Sequence, residues 1–143
     1  MKRQVLIVLV SVAALVPAAC GDDDSDYVYE EPATVEEIGA DLWRIELTEQ
    51  AAARTGVETA MVASDTVGGE QMLVVPYSSV MYHFDGSTWA YTNPEPYVYV
   101  RAPIEIDHID GESAILSAGP DEGTAVVSVG AAELYGVEFG VGK

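Results

Sequence analysis

The sequence predicts a mainly β domain, a small β-barrel or β-sandwich with one short helix. Short segments rich in Val, Ile, Tyr and Thr are separated every few residues by Gly, Pro, Asp and Asn, a spacing typical of such folds. A single stretch has strong helix-forming composition, and no internal repeat is visible. We expect a signal peptide at residues 1–19, an acidic tether at 20–34 and one β-rich domain at 35–143.

The first nineteen residues have the order of a secretory signal peptide. Lys2 and Arg3 form a short basic start, and residues 5–16 are apolar apart from one serine. The compact residues at 17–19 then precede Cys20. A membrane-spanning helix needs about 20 apolar residues, so the pattern favours a cleaved signal over a retained transmembrane helix.

Cys20 is the single cysteine, so neither an intramolecular disulfide nor a Cys-based metal cluster can form. With residues 17–19 it resembles a bacterial lipobox, although Pro17 stands where Leu is usual. The resemblance implies acylation of Cys20 and cleavage before it. The expected partner is then membrane lipid, bound through those acyl chains on an extracytoplasmic face of a bacterial membrane. The alternative is an ordinary signal peptide cut near Ala19, which leaves Cys20 as an idle thiol.

The charge balance is strongly acidic, with 24 Asp and Glu against 6 Lys and Arg and a formal net charge of −18. Such a surface repels phosphate backbones, so nucleic acid is excluded as a partner. Residues 20–34 concentrate part of this charge, and like charges extend a linker. The Asp run at 22–24 lacks the turn glycine and the ligand spacing of a calcium loop, which favours a solvated spacer.

The first half of the expected domain combines strand and helix signals. Residues 35–47 are predicted to be extended, with clean alternation at their end. Thr48 is a good N-cap for a short helix over 49–54, and Gly56 is a natural C-cap. Residues 57–62 then alternate as a strand.

The second half is predicted to be β-rich after a flexible junction at 64–71 that contains Gly68-Gly69. The expected strands are 72–75, 80–84, 88–92, 97–101, 104–108, 113–117 and 125–129. Turns are expected at Asp85-Gly86, 93–96, Asp110-Gly111 and 119–123. Residues 131–135 are compatible with one helical turn.

The sequence contains no recognisable catalytic motif. We therefore expect that the protein is not an enzyme and has no catalytic residue and no cofactor. Ser78 and Ser79 lack the Gly-x-Ser-x-Gly frame of a nucleophile elbow. His83 and His108 are isolated from each other, which does not make a metal-ligand motif. The polar stretch 107–110 has two interpretations, a weak surface metal site or simply the polar end of a hairpin.

Four aromatic residues flank the predicted Asp85-Gly86 turn: Tyr82, Phe84, Trp89 and Tyr91. Cross-strand pairing is expected to bring them together. One interpretation is core packing. The other is a candidate partner surface for a protein or an apolar ligand, because aromatic residues concentrate at interfaces.

Several blocks of the sequence resemble periplasmic adaptor subunits of efflux pumps, the membrane fusion proteins. In residues 72–141 they are Val75-Pro76-Tyr77-Ser78-Ser79-Val80, Asp85-Gly86-Ser87-Thr88-Trp89-Ala90-Tyr91, Arg101-Ala102-Pro103-Ile104-Glu105-Ile106 and Leu116-Ser117-Ala118-Gly119-Pro120-Asp121-Glu122-Gly123-Thr124-Ala125-Val126-Val127. Residues 45–60 resemble the strand, helix and strand that open the family's membrane-proximal domain. The resemblance implies a fold like that domain.

The resemblance does not extend to the family's central domains. Full adaptors insert a barrel, a lipoyl-like domain and a helical hairpin where this chain has only the junction at 64–71. Together with the lipobox-like sequence at Cys20 and the acidic tether, the resemblance implies a lipid-anchored interaction module, similar to a reduced adaptor, that contacts an efflux transporter or a full-length adaptor. The alternative is a lipoprotein of the periplasm or cell wall that binds a small ligand or cation.

Overall fold

The computed structural model describes residues 30–39 and 41–140. The predicted signal peptide, the lipidation residue Cys20 and most of the predicted tether therefore lie outside the described residues. Within those ranges the protein consists of two antiparallel sheets and two short helices.

Eleven strands are present in the described part of the chain. They are β1 (Ala33–Gly39), β2 (Leu42–Leu47), β3 (Glu58–Met61), β4 (Ala63–Val67), β5 (Glu70–Pro76), β6 (Met81–Tyr82), β7 (Thr88–Glu95), β8 (Val98–Pro103), β9 (Glu105–Asp110), β10 (Ser113–Ala118) and β11 (Ala125–Val129). The helices are α1 (Glu49–Thr55) and α2 (Ala131–Glu138), and Tyr77–Ser79 forms a 3₁₀ turn. The predicted mainly β class is confirmed.

The strands form two open sheets. The larger has the order β1-β2-β8-β7-β11-β3, with β6 paired to β7, and the smaller has the order β4-β5-β10-β9. In each sheet the first and last strands of this order are not paired with each other in the described structure, so neither sheet closes on itself. The architecture is thus consistent with a small β-sandwich, and the predicted β-barrel alternative is wrong.

The larger sheet is covered on both faces. Tyr91 and Val127 pack in a cluster with α1 and α2, whereas Ala90 and Val126 pack in a second cluster with strands of the smaller sheet. Adjacent residues of a strand point to opposite faces, so β7 and β11 each contribute to two cores. Two layers of strands and a partial layer of helices result.

The first helix follows its sequence signals. The Thr48 hydroxyl accepts a hydrogen bond from the Ala51 amide at 3.1 Å. Gly56 ends α1 with a φ of 63° and donates its amide to the Ala52 carbonyl at 3.1 Å. The second helix is longer than the single turn expected, since α2 runs to Glu138. The expectation of one short helix is corrected to two.

Residues 35–47 form a hairpin, whereas they were predicted as one extended segment. β1 pairs with β2 from Ala33 opposite Leu47 to Gly39 opposite Leu42. Asp41 adopts a φ of 60° in the turn, a left-handed conformation that Asp tolerates better than most residues. β1 also begins at Ala33, two residues inside the predicted tether.

The predicted flexible junction at 64–71 is wrong, because it forms the β4–β5 hairpin. Val67 pairs with Glu70 across a two-residue turn made by Gly68 and Gly69. Their φ values are 62° and 93°, which glycine adopts without steric cost. Strand β4 is largely exposed and carries no apolar stripe, whereas β5 contributes Leu73 and Val75 to the second core cluster.

Strand β7 is longer than its sequence signals suggested. It continues through Glu95, and the predicted turn at 93–96 shrinks to Pro96 and Tyr97. Tyr97 has a φ of 63° in this turn. The register shift between Thr92 and Glu95 absorbs the extra residues.

Candidate functional site

An aromatic cavity of about 450 Å³ opens beside the loop between β6 and β7. It is lined by Asp41, Trp43, His83, Phe84, Asp85, Trp89, Arg101 and Phe139. These residues come from the β1–β2 hairpin, the β6–β7 loop, strands β7 and β8, and the residue that follows α2. We refer to this site as the aromatic cavity. Its volume falls within the range of about 300–1,000 Å³ typical of small-molecule sites.

A buried arginine is part of the cavity wall. The Arg101 guanidinium carbon lies 4.6 Å from the centroid of the Trp89 ring and 5.3 Å from that of Phe139. Arg101 Nη2 donates a hydrogen bond to the Asp41 carbonyl at 2.7 Å. Arg101 therefore ties the β1–β2 turn to the aromatic walls.

Glu138 balances the charge of Arg101 inside the protein. Arg101 Nε lies 2.6 Å from Glu138 Oε1, and the two side chains are only 5% and 0% exposed. The Nε–H does not point along this contact, so it is an ion pair without a directed hydrogen bond. The carboxylate comes from the last residue of α2, so the pair fixes the end of that helix against β8.

Tyr91 completes the buried network. Its hydroxyl donates to Glu138 Oε2 at 2.5 Å, and Tyr91 pairs with Arg101 in the β7–β8 register. Burial, and next the hydrogen bond to Glu138, raise the pKa of Tyr91 far above its ordinary value. The phenol therefore stays protonated and keeps donating to the carboxylate.

The β6–β7 loop is organised by a local turn. Asp85 Oδ1 accepts hydrogen bonds from the Ser87 amide at 2.9 Å and the Ser87 hydroxyl at 2.6 Å. The hydrogen bond from the Ser87 side chain is the main reason why the pKa of Asp85 is below its ordinary value. Trp89 Nε1 donates to the Ser87 hydroxyl at 2.7 Å, and this positions the indole against the loop.

His83 links the loop to α2. Its Nδ1 lies 3.0 Å from the Tyr135 hydroxyl, within hydrogen-bond distance. Its ring centroid is 4.1 Å from that of Phe84 and 5.5 Å from that of Phe139. The Tyr135 and Phe139 rings are 4.5 Å apart. These contacts make a continuous aromatic edge along one side of the cavity.

The four residues of the predicted partner surface have different environments. Phe84 is 89% exposed and Tyr82 is 57% exposed, whereas Trp89 is half-buried in the cavity wall. Tyr91 is fully buried, so its assignment to a partner surface is wrong. The cause is that β7 lies inside the larger sheet and is covered on both faces.

The pairing register also differs from the expected one. Met81 lies opposite Trp89, and Tyr82 lies opposite Thr88. Tyr82 therefore points away from the face that carries Trp89, and it does not line the cavity. Phe84 reaches the cavity because it belongs to the loop.

The aromatic cavity joins residues that sequence reasoning did not group. Asp41, Trp43, Arg101 and Phe139 lie up to about a hundred positions apart, and no local motif connects them. One available signal was the isolated Arg101 in an otherwise apolar strand segment. A cation at such a position requires a buried partner, but the sequence does not identify Glu138 as that partner.

A second, smaller cavity of about 250 Å³ has mainly apolar walls, formed by Pro32, Ala33, Leu47, Ala51, Arg54, Thr55 and Val137. It lies between β1 and the two helices. It lacks the convergent polar groups that orient a ligand. The aromatic cavity is therefore the stronger candidate.

The hypothesis of a metal site at 107–110 gains no support from the structure. His108 Nδ1 lies 2.7 Å from Asp107 Oδ2 on the exposed surface. Across residues 30–39 and 41–140, no group of three or more His, Cys, Asp or Glu side chains is arranged to hold a metal ion.

Neither helix in the described residues 30–39 and 41–140 is long and apolar enough to cross a membrane.

Comparisons with protein-family models, with curated proteins and with solved structures find no match to this chain.

Proposed function

We propose that the protein is a lipid-anchored extracytoplasmic interaction module, whose contact surface is the rim of the aromatic cavity. The observation that carries the proposal is the exposure of Phe84, a residue that is 89% accessible to solvent. Phe139, which is 42% exposed and also lines the cavity, extends this exposed aromatic area. Exposed apolar groups that cluster beside a cavity are characteristic of interaction sites.

The proposed partner is a membrane transporter or a full-length adaptor. This part of the proposal rests on the resemblance to efflux-pump adaptors and on the lipobox-like sequence at Cys20. Acyl chains on Cys20 would hold the β domain close to the membrane, where such a partner is found. The acidic surface, with a net charge of −18, would not itself attract the domain to anionic lipid.

A photo-crosslinking amino acid at position 84 tests the contact surface in cells. We expect a discrete adduct with a membrane protein. The matched control is the same amino acid at Ile109, which is also an exposed apolar residue but lies on β9, in the smaller sheet. No adduct at position 84, or an identical pattern at both positions, would refute the proposed surface.

The anchor is tested by Cys20→Ser with metabolic labelling by a fatty-acid analogue. The wild-type protein should carry the label and fractionate with membranes, whereas Cys20→Ser should be unlabelled and released. Continued labelling of the variant would contradict the assignment of the lipidation site.

A second candidate function is the binding of a small ligand in the aromatic cavity. The volume of about 450 Å³ and the mixture of aromatic and charged walls favour it. This function and the interaction module are compatible, because Phe84 belongs to both the cavity wall and the exposed rim. Ligand binding is tested by titration of the purified full-length protein with the probes described below.

A further inference from the structure

The aromatic walls of the cavity offer ring faces of the type that attracts cations. Two tryptophans and two phenylalanines line it: Trp43, Trp89, Phe84 and Phe139. Ring faces carry negative electrostatic potential, and tryptophan attracts a cation most strongly. The Arg101 guanidinium already lies over Trp89 at 4.6 Å and over Phe139 at 5.3 Å. Among the described residues, Trp43 and Phe84 are the lining rings that have no such contact with a cation of the protein.

The charged groups around the cavity are mostly negative. Asp41 and Asp85 are exposed residues that line it. Arg101 is the positive residue of the lining. Its Nε lies 2.6 Å from Glu138 Oε1, and its Nη2 donates a hydrogen bond to the Asp41 carbonyl. The lining thus carries two carboxylates and one guanidinium, and Glu138 pairs with that guanidinium, within a chain of net charge −18. An anion would meet this negative potential, whereas a cation would be attracted by it.

We propose that the aromatic cavity binds an organic cation, with a quaternary ammonium or guanidinium head against the ring faces. The proposal rests on the second function above, ligand binding in the cavity, and names the class of ligand. The cavity volume of about 450 Å³ exceeds what a bare ammonium head fills, so the cation is one group of a larger molecule.

The two tryptophans of the chain both line the cavity, so intrinsic fluorescence reports on this site. The full-length protein is titrated with choline chloride. Its uncharged isostere 3,3-dimethyl-1-butanol and the anion 3,3-dimethylbutanoate are titrated in parallel, with sodium chloride as the salt control. We expect a saturable change in tryptophan emission with choline, at least about tenfold tighter than with either analogue.

Isosteric variants separate charge from shape. Asp41→Asn and Asp85→Asn should each weaken choline binding by about threefold to tenfold. Asn tolerates the left-handed conformation at position 41, and at position 85 it keeps the acceptor for Ser87. Asp110→Asn removes the same charge from an exposed residue that does not line the cavity, and it should leave choline binding unchanged.

The outcomes distinguish the inference from the function on which it rests. Equal or tighter binding of the uncharged or anionic analogue would refute the proposal that the ligand is an organic cation. It would leave the proposal of ligand binding in the cavity standing. Equal weakening by Asp110→Asn would also overturn it, because the effect would then be one of net charge. No response to any probe would overturn both.

The cation can come from a free molecule or from a basic side chain of a partner. If saturating choline suppresses the crosslink formed from position 84, the cation belongs to the partner. If the crosslink persists while choline binds, the cation is a free molecule.

Discussion

The buried pair of Arg101 and Glu138 leads to a quantitative prediction for stability. The single variants Arg101→Met and Glu138→Leu each remove one charge and leave the other in place. The pair is 2.6 Å apart, with side chains 5% and 0% exposed, so the remaining charge cannot be hydrated without opening the structure. Breaking such a pair costs about 3–5 kcal/mol.

The double variant should cost less than either single variant. It replaces both charges by apolar side chains of similar volume, a change that is often close to neutral at buried pairs. We therefore expect a coupling energy of at least about 3 kcal/mol in the double-mutant cycle. The Tyr91 hydroxyl loses its acceptor both in Glu138→Leu and in the double variant, so this loss cancels in the coupling energy.

The assay is urea unfolding followed by tryptophan fluorescence, with circular dichroism as a second probe. Arg44 and Glu46 provide a matched control, because they are also 2.6 Å apart but 29% and 55% exposed. The cycle of Arg44→Met and Glu46→Leu should show no measurable coupling, as exposed pairs usually do not. Additive effects at Arg101 and Glu138 would show that this pair does not hold the cavity wall in place.

Three further predictions concern single positions. Ser79→Ala should raise stability by about 1–3 kcal/mol in the same urea assay, because the buried Ser79 hydroxyl has no hydrogen-bond partner in the described structure; a loss would mean that the hydroxyl is paired. Gly130→Ala should lower the melting temperature, because its φ is 89° and a Cβ would lie 2.9 Å from Val57 Cγ2. The control Gly136→Ala, in an open helical position, should raise it, and equal shifts would contradict the steric argument. Because the folded protein raises the pKa of Tyr91, the contribution of Tyr91 to stability is fully present below pH about 10 and decreases progressively as the pH rises above that value. Urea titrations at increasing pH above about 10 should show the wild type losing stability relative to Tyr91→Phe, and parallel curves would contradict this.

Local signals were sufficient where an element is defined by its own residues. The N-cap Thr48 and the C-cap Gly56 predicted α1 because capping depends on nearby backbone groups. The apolar strand 125–129 was also predicted with its observed bounds. In these cases tertiary packing supports what the local sequence already favours.

The β4–β5 hairpin could not be distinguished from a flexible junction by its apolar pattern. Its strand β4 is an edge strand that is largely exposed, so no alternating stripe marks it. Its turn signal, Gly68-Gly69, is common to hairpins and to linkers. What decides the outcome is pairing with β5, and that pairing depends on β10 on the other side.

The aromatic set illustrates why burial was harder to predict than strand position. Alternation assigns residues to two faces, but it does not state whether both faces are covered. In β7 both are covered, so Ala90 and Tyr91 are buried as neighbours. The cavity was harder still to predict from the sequence. Its lining depends on how β2, β8 and the end of α2 are arranged in space.

The buried contacts that hold the wall of the aromatic cavity in place are distinct from the exposed residues at its rim. Arg101, Glu138 and Tyr91 are buried, and they connect β7, β8 and α2 behind the cavity. Phe84 is 89% exposed, so it contributes little apolar burial to folding. Folding alone does not explain a large aromatic side chain in that position. A fixed inner wall with an exposed aromatic rim is the arrangement that recognition requires, because the wall sets the geometry and the rim meets the ligand or partner.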